Sequence, residues 1–308
     1  MHVVAGVLVD ASGRILIAQR PPGKHLAGMW EFPGGKLEPG ESAGAALVRE
    51  LDEELGIAVD RAAFEALIRV PWRYGDRDML LEAVLVRGWK GEPQALDAAA
   101  IAWREPVSVD AALLAPADRP ILAALRLPRH YAVSPAQASP DEAAAWVHAA
   151  LERGERLLQL RLTAQSFETV RGVAEAVLPD VRRHGAQLLL NRDVAGAQAL
   201  GIGVHLASGQ WREWAERPLP LSVPVGASCH DAAELELASR LGCDFATLSP
   251  VLATTSHPGV EPLGWPRFGR LAEAASLPVY ALGGVGRKDL PEARLHAAQG
   301  VAGITAFL

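Results

Sequence analysis

Glu50, Glu53 and Glu54 stand at i, i+3 and i+4, a spacing that on a helix puts three carboxylates on one face. Glu41 falls in the stretch before them, GKLEPGES, where a loop could fold it back toward that face. Like charges so placed repel, and each such pair weakens an isolated helix by a few tenths of a kcal/mol. The face is therefore either left in water or neutralised by a hard cation. Carboxylate oxygens and water suit Mg²⁺, which takes one or two protein carboxylates together with substrate phosphates. For a bare Glu-x-x-Glu-Glu the solvated face is the plainer reading, and the surrounding residues decide between the two.

Those surroundings are specific. Leu47, Val48, Leu51 and Leu55 recur at helical spacing, with Ser42 where an N-cap belongs and Gly56 where a C-cap belongs. The whole stretch reads Gly35, five residues, Glu41, seven residues, Arg49-Glu50-Leu51, one residue, Glu53-Glu54, one residue, Gly56-Ile57. This matches the Nudix box without a departure. The flanking segments Trp30-Glu-Phe-Pro-Gly-Gly-Lys36, Tyr74-Gly-Asp-Arg77 and Trp89-Lys-Gly-Glu-Pro93, with Arg20 and His25, resemble MutT-type Nudix hydrolases, and the likeness runs over residues 2–127. The resemblance implies an α/β/α sandwich and water attack on a nucleoside diphosphate linkage. It also implies nucleotide-pool sanitation of the 8-oxo-dGTP kind, with a nucleoside monophosphate and pyrophosphate as products.

Carried over residue by residue, the resemblance makes Glu50, Glu53 and Glu54, with the Gly34 carbonyl, the ligands of Mg²⁺, or of Mn²⁺ in its place. Glu50 or Glu53 would orient or deprotonate the attacking water, and Arg49 would pair with Glu41 to hold loop and helix together. Such a metal screens phosphate charge and lowers the pKa of bound water. Arg20, His25, Phe32, Arg77 and Asp118 would contact the substrate, although a solvated strand-end arginine or a core phenylalanine is the plain alternative for Arg20, Arg77 and Phe32. Two departures stand out. Ala102 replaces the glutamate expected before Trp103, with Glu105 as a substitute, and Asp118 stands where MutT uses an asparagine to read the oxidised base. Asp118 would either donate as a protonated acid in an apolar pocket or merely cap the last helix, Asp118–Leu125.

Two β-rich runs, Val3–Val9 and Arg14–Arg20, joined by a hairpin signal at Asp10-Ala-Ser-Gly13, and strand-like runs at Ala66–Trp72 and Met79–Trp89 must carry this site. Past Pro128 the texture changes. Apolar runs at Tyr131–Val133, Leu157–Leu162, Gln187–Leu190, Gly203–Leu206, Val223–Ala227, Phe245–Val251, Val279–Leu282 and Val301–Phe307 alternate with alanine-rich stretches such as Asp141–Arg153 and Asp231–Leu241. Eight strands alternating with helices predict a (β/α)8 barrel rather than an open doubly wound sheet, with no helix after the eighth strand. The division falls into residues 1–127 and 128–308.

The barrel segments Leu158-Gln-Leu-Arg161, Leu188-Leu-Leu-Asn-Arg192, Gly203-Val-His-Leu206, Gly226-Ala-Ser-Cys-His230, Leu248-Ser-Pro-Val-Leu252, Pro262-Leu-Gly264 and Ala281-Leu-Gly-Gly-Val285 resemble thiamine phosphate synthase and its relative TenI. The resemblance implies a ligand site of Arg161, Asn191, Ser228, His230, Thr254, Gly283, Gly284 and Thr305 for a thiamine-related phosphate. It also exposes losses. Arg192 replaces a Mg²⁺-binding aspartate, no aspartate follows Gly203-Val-His-Leu206, and His257 replaces a lysine. An arginine repels a cation, so no synthase reaction is expected. The fusion leaves a second function open, a thiamine-pathway enzyme whose Nudix site hydrolyses pyrimidine or thiamine diphosphates.

Composition limits the partners. A net charge of −6 argues against a nucleic-acid binder. No stretch approaches the ~18 apolar residues of a membrane span. The two cysteines, Cys229 and Cys243, are too few for a disulfide framework or a four-cysteine zinc site and read as buried apolar residues. A cytoplasmic protein with reduced thiols, acting on a small-molecule nucleotide, is the expectation.

Overall fold

The computed structural model describes residues 1–254 and 259–304, which divide into two compact units, Met1–Arg126 and Leu127–Leu308. The first unit runs β1 (His2–Leu8), β2 (Ile15–Gln19), β3 (Trp30–Glu31), β4 (Gly34–Lys36), α1 (Ala43–Leu55), β5 (Ala58–Val59), β6 (Phe64–Tyr74), β7 (Arg77–Val86), β8 (Trp89–Lys90), β9 (Ala100–Arg104) and α2 (Arg119–Arg126). A four-stranded sheet has the order β4-β1-β7-β6, a three-stranded sheet the order β3-β2-β9, and β5 pairs with β8. β1 runs parallel to β7 and antiparallel to β4, with Val4 opposite Gly35 and Ala5 opposite Gly34.

The spacing of Leu47, Leu51 and Leu55 works as expected: all three are fully buried, in one cluster with Val4, Leu8, Val84 and Val86. Fully burying each leucine favours folding by about 1.5–3 kcal/mol, enough to hold an acidic helix on the sheet. Gly6 makes room for that packing, since a Cβ there would lie 3.1 Å from Leu47.

The second unit is a closed barrel of eight parallel strands: β10 (His130–Val133), β11 (Leu157–Leu160), β12 (Gln187–Asn191), β13 (Gly203–Leu206), β14 (Val225–Cys229), β15 (Phe245–Leu248), β16 (Val279–Leu282) and β17 (Gly300–Gly303). Between them come α3 (Pro140–Glu152), α4 (Phe167–Arg183), α5 (Val194–Leu200), α6 (Ala232–Leu241), α7 (Gly264–Glu273) and α8 (Leu290–Leu295). The connection from β13 to β14 carries only a 3₁₀ turn, Gln210–Glu213.

Several strand ends differ from the sequence pattern. β15 stops at Leu248, with the rest of its run, residues 249–251, buried beyond the ladder, and β14 spans Val225–Cys229 because its ladder to β15 continues through Cys229. β17 ends at Gly303, and the rest of the run expected to Phe307 lies outside the described residues. Inside the barrel, Phe245 packs against Tyr131, Tyr280 and His205 at ring-centroid distances of 5.2, 5.5 and 6.0 Å. Among the described residues no helix is long and apolar enough to cross a membrane.

Candidate active site

Ser42 accepts a hydrogen bond from the Ala45 N–H at 3.3 Å and Gly56 closes α1 in a left-handed conformation. Between these caps the helix presents Glu50 and Glu54 toward β4, with Glu53 more exposed. The approach is close because β4 begins with two glycines. Gly34 has φ +146, and a Cβ on it would lie 2.2 Å from the Val4 carbonyl oxygen. At Gly35 a Cβ would lie 2.2 Å from Glu50 Oε1. The Gly34 N–H donates to Glu54 Oε2 at 2.9 Å. Burial pushes the Glu54 carboxyl up to about 7. The Gly34 N–H opposes that rise, and the neighbouring charges of Glu31, Glu50 and Asp97 add to it.

Arg49 is the counter-charge. Its guanidinium donates to Glu41 through Nε at 3.2 Å and Nη2 at 3.0 Å, and also to the Lys36 carbonyl at 3.0 Å. The expected loop-to-helix pair therefore forms, and it holds the Glu41 carboxyl below the usual range together with the Glu38 N–H. Arg49 reaches further than expected, however. Its Nη1 lies 2.9 Å from Glu50 Oε1 and 3.2 Å from Glu53 Oε2. With those two carboxylates turned to the guanidinium, no three acidic, histidine or cysteine side chains among the described residues are grouped around a common metal position. The donor chemistry still fits Mg²⁺: hard oxygens, crowded enough that one carboxyl is driven toward protonation, with a backbone-only strand beside them.

A second group of residues gathers around β3. Arg20 donates to the His25 carbonyl at 2.6 Å and pairs with Glu31. Tyr74 meets His25 edge-on, 5.5 Å between centroids. Asp118, 6% exposed, accepts the Phe32 N–H at 3.0 Å through Oδ1. Burial raises its carboxyl to about 7, against the Phe32 N–H and Arg20 and with the help of Glu31. Asp118 thus lies ahead of α2, in a 3₁₀ turn, and its side chain anchors β3. Phe32 is 3% exposed and its side chain lies in the core, while its N–H reaches Asp118. Arg77 stands exposed at the β6–β7 hairpin, and no hydrogen bond or ion pair among the described residues joins it to this group.

Two site residues were missed in the sequence. Glu31, half-buried beside Arg20, Asp118 and Glu54, lies within Trp30-Glu-Phe32, where no period or like-charge neighbour in the sequence marks it. Asp97 pairs with Lys24 and adds its charge to the environments of Glu54 and Glu31. Asp97 is thus an acidic residue whose charge reaches the box, and Glu105 stands exposed just past β9. Ala102, on β9, is occupied in pairing with Ile17. Asp97 sits in a loop with no periodicity, and only its charge could have marked it.

In the barrel, the strand ends gather a polar ladder. Gln159 Nε2 donates to Asn191 Oδ1 at 3.1 Å, and the Arg161 N–H donates to Ser134 Oγ at 2.8 Å. His205 lies 2.9 Å from Ser228 Oγ and 3.0 Å from the Tyr131 hydroxyl. Burial, with Arg161 adding repulsion, drives the His205 pKa down to about 3, so the ring is neutral. His230 is exposed, and its Nδ1 donates to the Ser249 carbonyl at 2.8 Å. Gly283 and Gly284 have φ of +92 and +71, with the Cβ positions blocked by Pro250 and by the Ala253 carbonyl. Thr254 is half-buried in the loop after β15, while Thr305 and His257 lie outside the described residues.

Comparison with known proteins separates the same two parts. Residues 4–124 match the NUDIX domain family and residues 130–307 match the thiamine monophosphate synthase family. The 8-oxo-dGTP diphosphatase of Proteus vulgaris is 46% identical over 92 residues, covering 30% of this chain and 80% of that protein. The CTP pyrophosphohydrolase of Escherichia coli is 41% identical over 124 residues, 40% of this chain and 90% of that protein. The putative thiamine-phosphate synthase 2 of Aquifex aeolicus is 31% identical over 185 residues, 60% of this chain and 100% of that protein.

Proposed function

We propose, from the premise that this chain belongs to the NUDIX domain family through residues 4–124 and to the thiamine monophosphate synthase family through residues 130–307, that its first unit is a Mg²⁺-dependent nucleoside triphosphate pyrophosphohydrolase. Its substrate in this reading is 8-oxo-dGTP, and the products are 8-oxo-dGMP and pyrophosphate, which removes an oxidised nucleotide before DNA synthesis can use it. The observation that carries the reading is the pair Glu50 and Glu54 laid against the Gly34–Gly35 strand with Glu53 exposed on the same helix beside Arg49, the Glu54 carboxyl pushed up to about 7 by burial with like charges adding to the rise.

Glu50, Glu53, Glu54 and the Gly34 carbonyl would hold the ion. When bound it supplies charge neutralisation at the phosphates and a more acidic water. Glu53, the most exposed of the three at 59% of its side chain, takes the proton of the attacking water or orients it. Arg49 keeps Glu41 and the loop in place while its contacts to Glu50 and Glu53 give way to substrate and ion. Arg20, anchored by Glu31, faces the base or phosphate. Asp118 reads the base through Oδ2, since Oδ1 is committed to Phe32.

That last point favours a second reading, a cytidine triphosphate. A carboxyl raised to about 7 is part-protonated near neutrality and can present one proton to an unprotonated ring nitrogen such as N3 of cytosine. A pyrophosphate-release screen separates the readings, using 8-oxo-dGTP, dGTP, CTP, dCTP and the thiamine-pathway diphosphates. The highest kcat/KM on 8-oxo-dGTP supports the first, and CTP or dCTP ahead of it supports the second. Preference for a pyrimidine or thiamine diphosphate would move the unit to the thiamine-pathway alternative. No cleavage of any of them would end the hydrolase reading.

A further inference from the structure

Lys24 stands midway along the loop between β2 and β3, exposed, with its ammonium on Asp97 Oδ2. Both sides of that contact are held from behind. The loop that carries Lys24 is closed by the Arg20 N–H on the Met29 carbonyl and the Gly28 N–H on the Arg20 carbonyl, each at 2.9 Å, and by the Gln19 side chain on the Gly28 carbonyl at 3.0 Å. Arg20 also reaches into the loop, donating from Nε to the His25 carbonyl. Asp97 lies in a segment stitched to α1 and β2. The Gln94 and Leu96 N–H groups donate to the Leu55 and Glu54 carbonyls at 3.0 Å, and the Ala99 N–H donates to the Gln19 carbonyl at 2.9 Å. The ion pair therefore joins two loops whose bases are fixed, one of them to the end of the box helix.

Stability does not account for this contact. The Lys24 side chain is 49% exposed and that of Asp97 55%, and an ion pair so open to water adds little to folding. Its charge environment is more telling. The hydrogen bond to Asp97 raises the Lys24 pKa above its ordinary value against partial burial, and the charges of Asp97, Glu54 and Glu31 add to the rise. Those carboxylates come from three segments: a loop, α1 and β3. Burial pushes Glu54 and Glu31 up, Asp97 adds to both, and at Glu31 Arg20 and Lys24 oppose the rise. Lys24 is thus a positive charge on a flexible four-carbon stem, placed at the edge of acids that burial crowds together. Letting go of Asp97 needs only side-chain rotation.

We infer that Lys24 is a tethered counter-ion of the acidic site, which neutralises its rim while no divalent cation is bound and leaves Asp97 when one binds. The inference rests on the reading of Glu50, Glu53, Glu54 and the Gly34 carbonyl as Mg²⁺ ligands. An ammonium and a divalent ion among the same carboxylates repel each other. The ammonium is the one held by a single exposed contact, so it gives way. Two consequences follow from that exchange. The site binds its ion less tightly than the acids alone would, because each binding event must release Lys24. The loop between β2 and β3 also loses its tie to the Asp97 segment once the ion is in place, which makes Lys24 a positioning residue for that loop.

The test is Mn²⁺ binding to the full-length protein without nucleotide, read from the electron paramagnetic resonance signal of the free ion, in wild type, Lys24→Met, Lys24→Arg and Glu54→Gln. Glu54→Gln should weaken binding by about tenfold or more, and so marks the site being read. Lys24→Met should tighten it by about three- to fivefold, the worth of an exposed ion pair expressed as affinity. Lys24→Arg keeps the charge and should stay close to wild type. Hydrogen-exchange mass spectrometry of the same samples should show the amides of residues 23–29 exchanging faster in wild type once Mn²⁺ is bound, and already fast in Lys24→Met without it. Equal affinity in wild type and Lys24→Met, with Glu54→Gln still weakening it, would overturn the inference and leave the metal reading standing. Weaker binding in Lys24→Met, or loop exchange in wild type that the ion slows or leaves unchanged, would overturn it as well. Binding that Glu54→Gln does not alter, or none in wild type, would remove the metal reading of the box and the inference with it.

Discussion

Two arginine–carboxylate clusters, one in each unit, use the same groups to opposite ends. In the first unit Arg49 holds Glu41, Glu50 and Glu53 with its own side chain 26% exposed and Glu53 59% exposed. In the barrel Arg171 holds Asp193, which is 4% exposed and also caps α5 through Gly196. The first cluster can exchange two of its partners for a ligand, because Glu53 is exposed and, among the described residues, Glu50 and Glu53 cap no backbone N–H, whereas Glu41 also accepts the Glu38 N–H and stays with the loop. The second cannot, because freeing Asp193 would undo a helix cap and leave a buried charge unpaired. A carboxylate's availability for chemistry therefore depends less on its neighbour than on its burial and its second occupation.

The largest effect that tests this contrast is at Glu53. Glu53→Gln should lower turnover by roughly 10²–10⁴-fold, the range for losing a positioned base, with circular dichroism unchanged. Asp193→Asn should leave hydrolysis untouched. A loss under tenfold for Glu53→Gln at saturating Mg²⁺, or a comparable loss for Asp193→Asn, would dissolve the distinction between the clusters.

Next in size is the buried acid that the first unit keeps without a full counter-charge. Asp118 has its carboxyl raised to about 7 in the folded protein against 3.8 in its absence of surroundings. Glu31 and Tyr74 face it as acids and Arg20 as the opposing cation. Between those values the folded state holds a proton that the unfolded chain has released, so stability falls as pH rises through the window and levels off above about 7. Asp118→Asn cannot titrate, and should lack a pH-dependent penalty of at most about 4 kcal/mol. Urea unfolding of both proteins from pH 4 to pH 8 measures it; parallel curves would show that Asp118 titrates as an ordinary aspartate.

The sequence made these two clusters unequally legible. The box helix could be read because one period fixes its caps, its buried leucines and its acidic face together, so Ser42, Leu51, Glu54 and Gly56 all fell into place. The barrel's strand order was legible from alternation for the same reason. Arg49 reaching Glu50 and Glu53, and Asp97 reaching the box from its loop, follow from side-chain direction and loop path, which carry no period. Asp118 was read as a helix cap or a base reader; its bond to Phe32, 86 positions away in the chain, is a tertiary contact that no local pattern reports. In the barrel, Arg171 and Asp193 lie 22 positions apart, so the occupation of Asp193 was equally hidden.

Arg171→Met gives a smaller and purely structural effect. Breaking a buried ion pair is costly, but Arg171 is 39% exposed, which weakens the pair through solvent screening; a modest loss of stability is expected. Arg171 holds the Asp193 carboxyl below its usual range, so this stability is present above the unfolded value of 3.8 and is lost as pH falls through the lower folded value. Calorimetric scans at pH 7 and pH 3 should show the gap between wild type and variant narrowing in acid. No gap at pH 7, or a gap unchanged in acid, would mean that Asp193 is held by its cap alone.

Thr247→Val tests the barrel most gently, and its sign is what matters. The substitution conserves side-chain shape, replacing a hydroxyl by a methyl at a position 1% exposed whose Oγ1 has no partner. Removing an unsatisfied buried hydroxyl returns part of its desolvation cost, so the ligand-free variant should be more stable than wild type by about 1 kcal/mol. Thermal melting of both proteins reads the difference directly. A variant less stable than wild type would show that Thr247 already has a partner within the barrel.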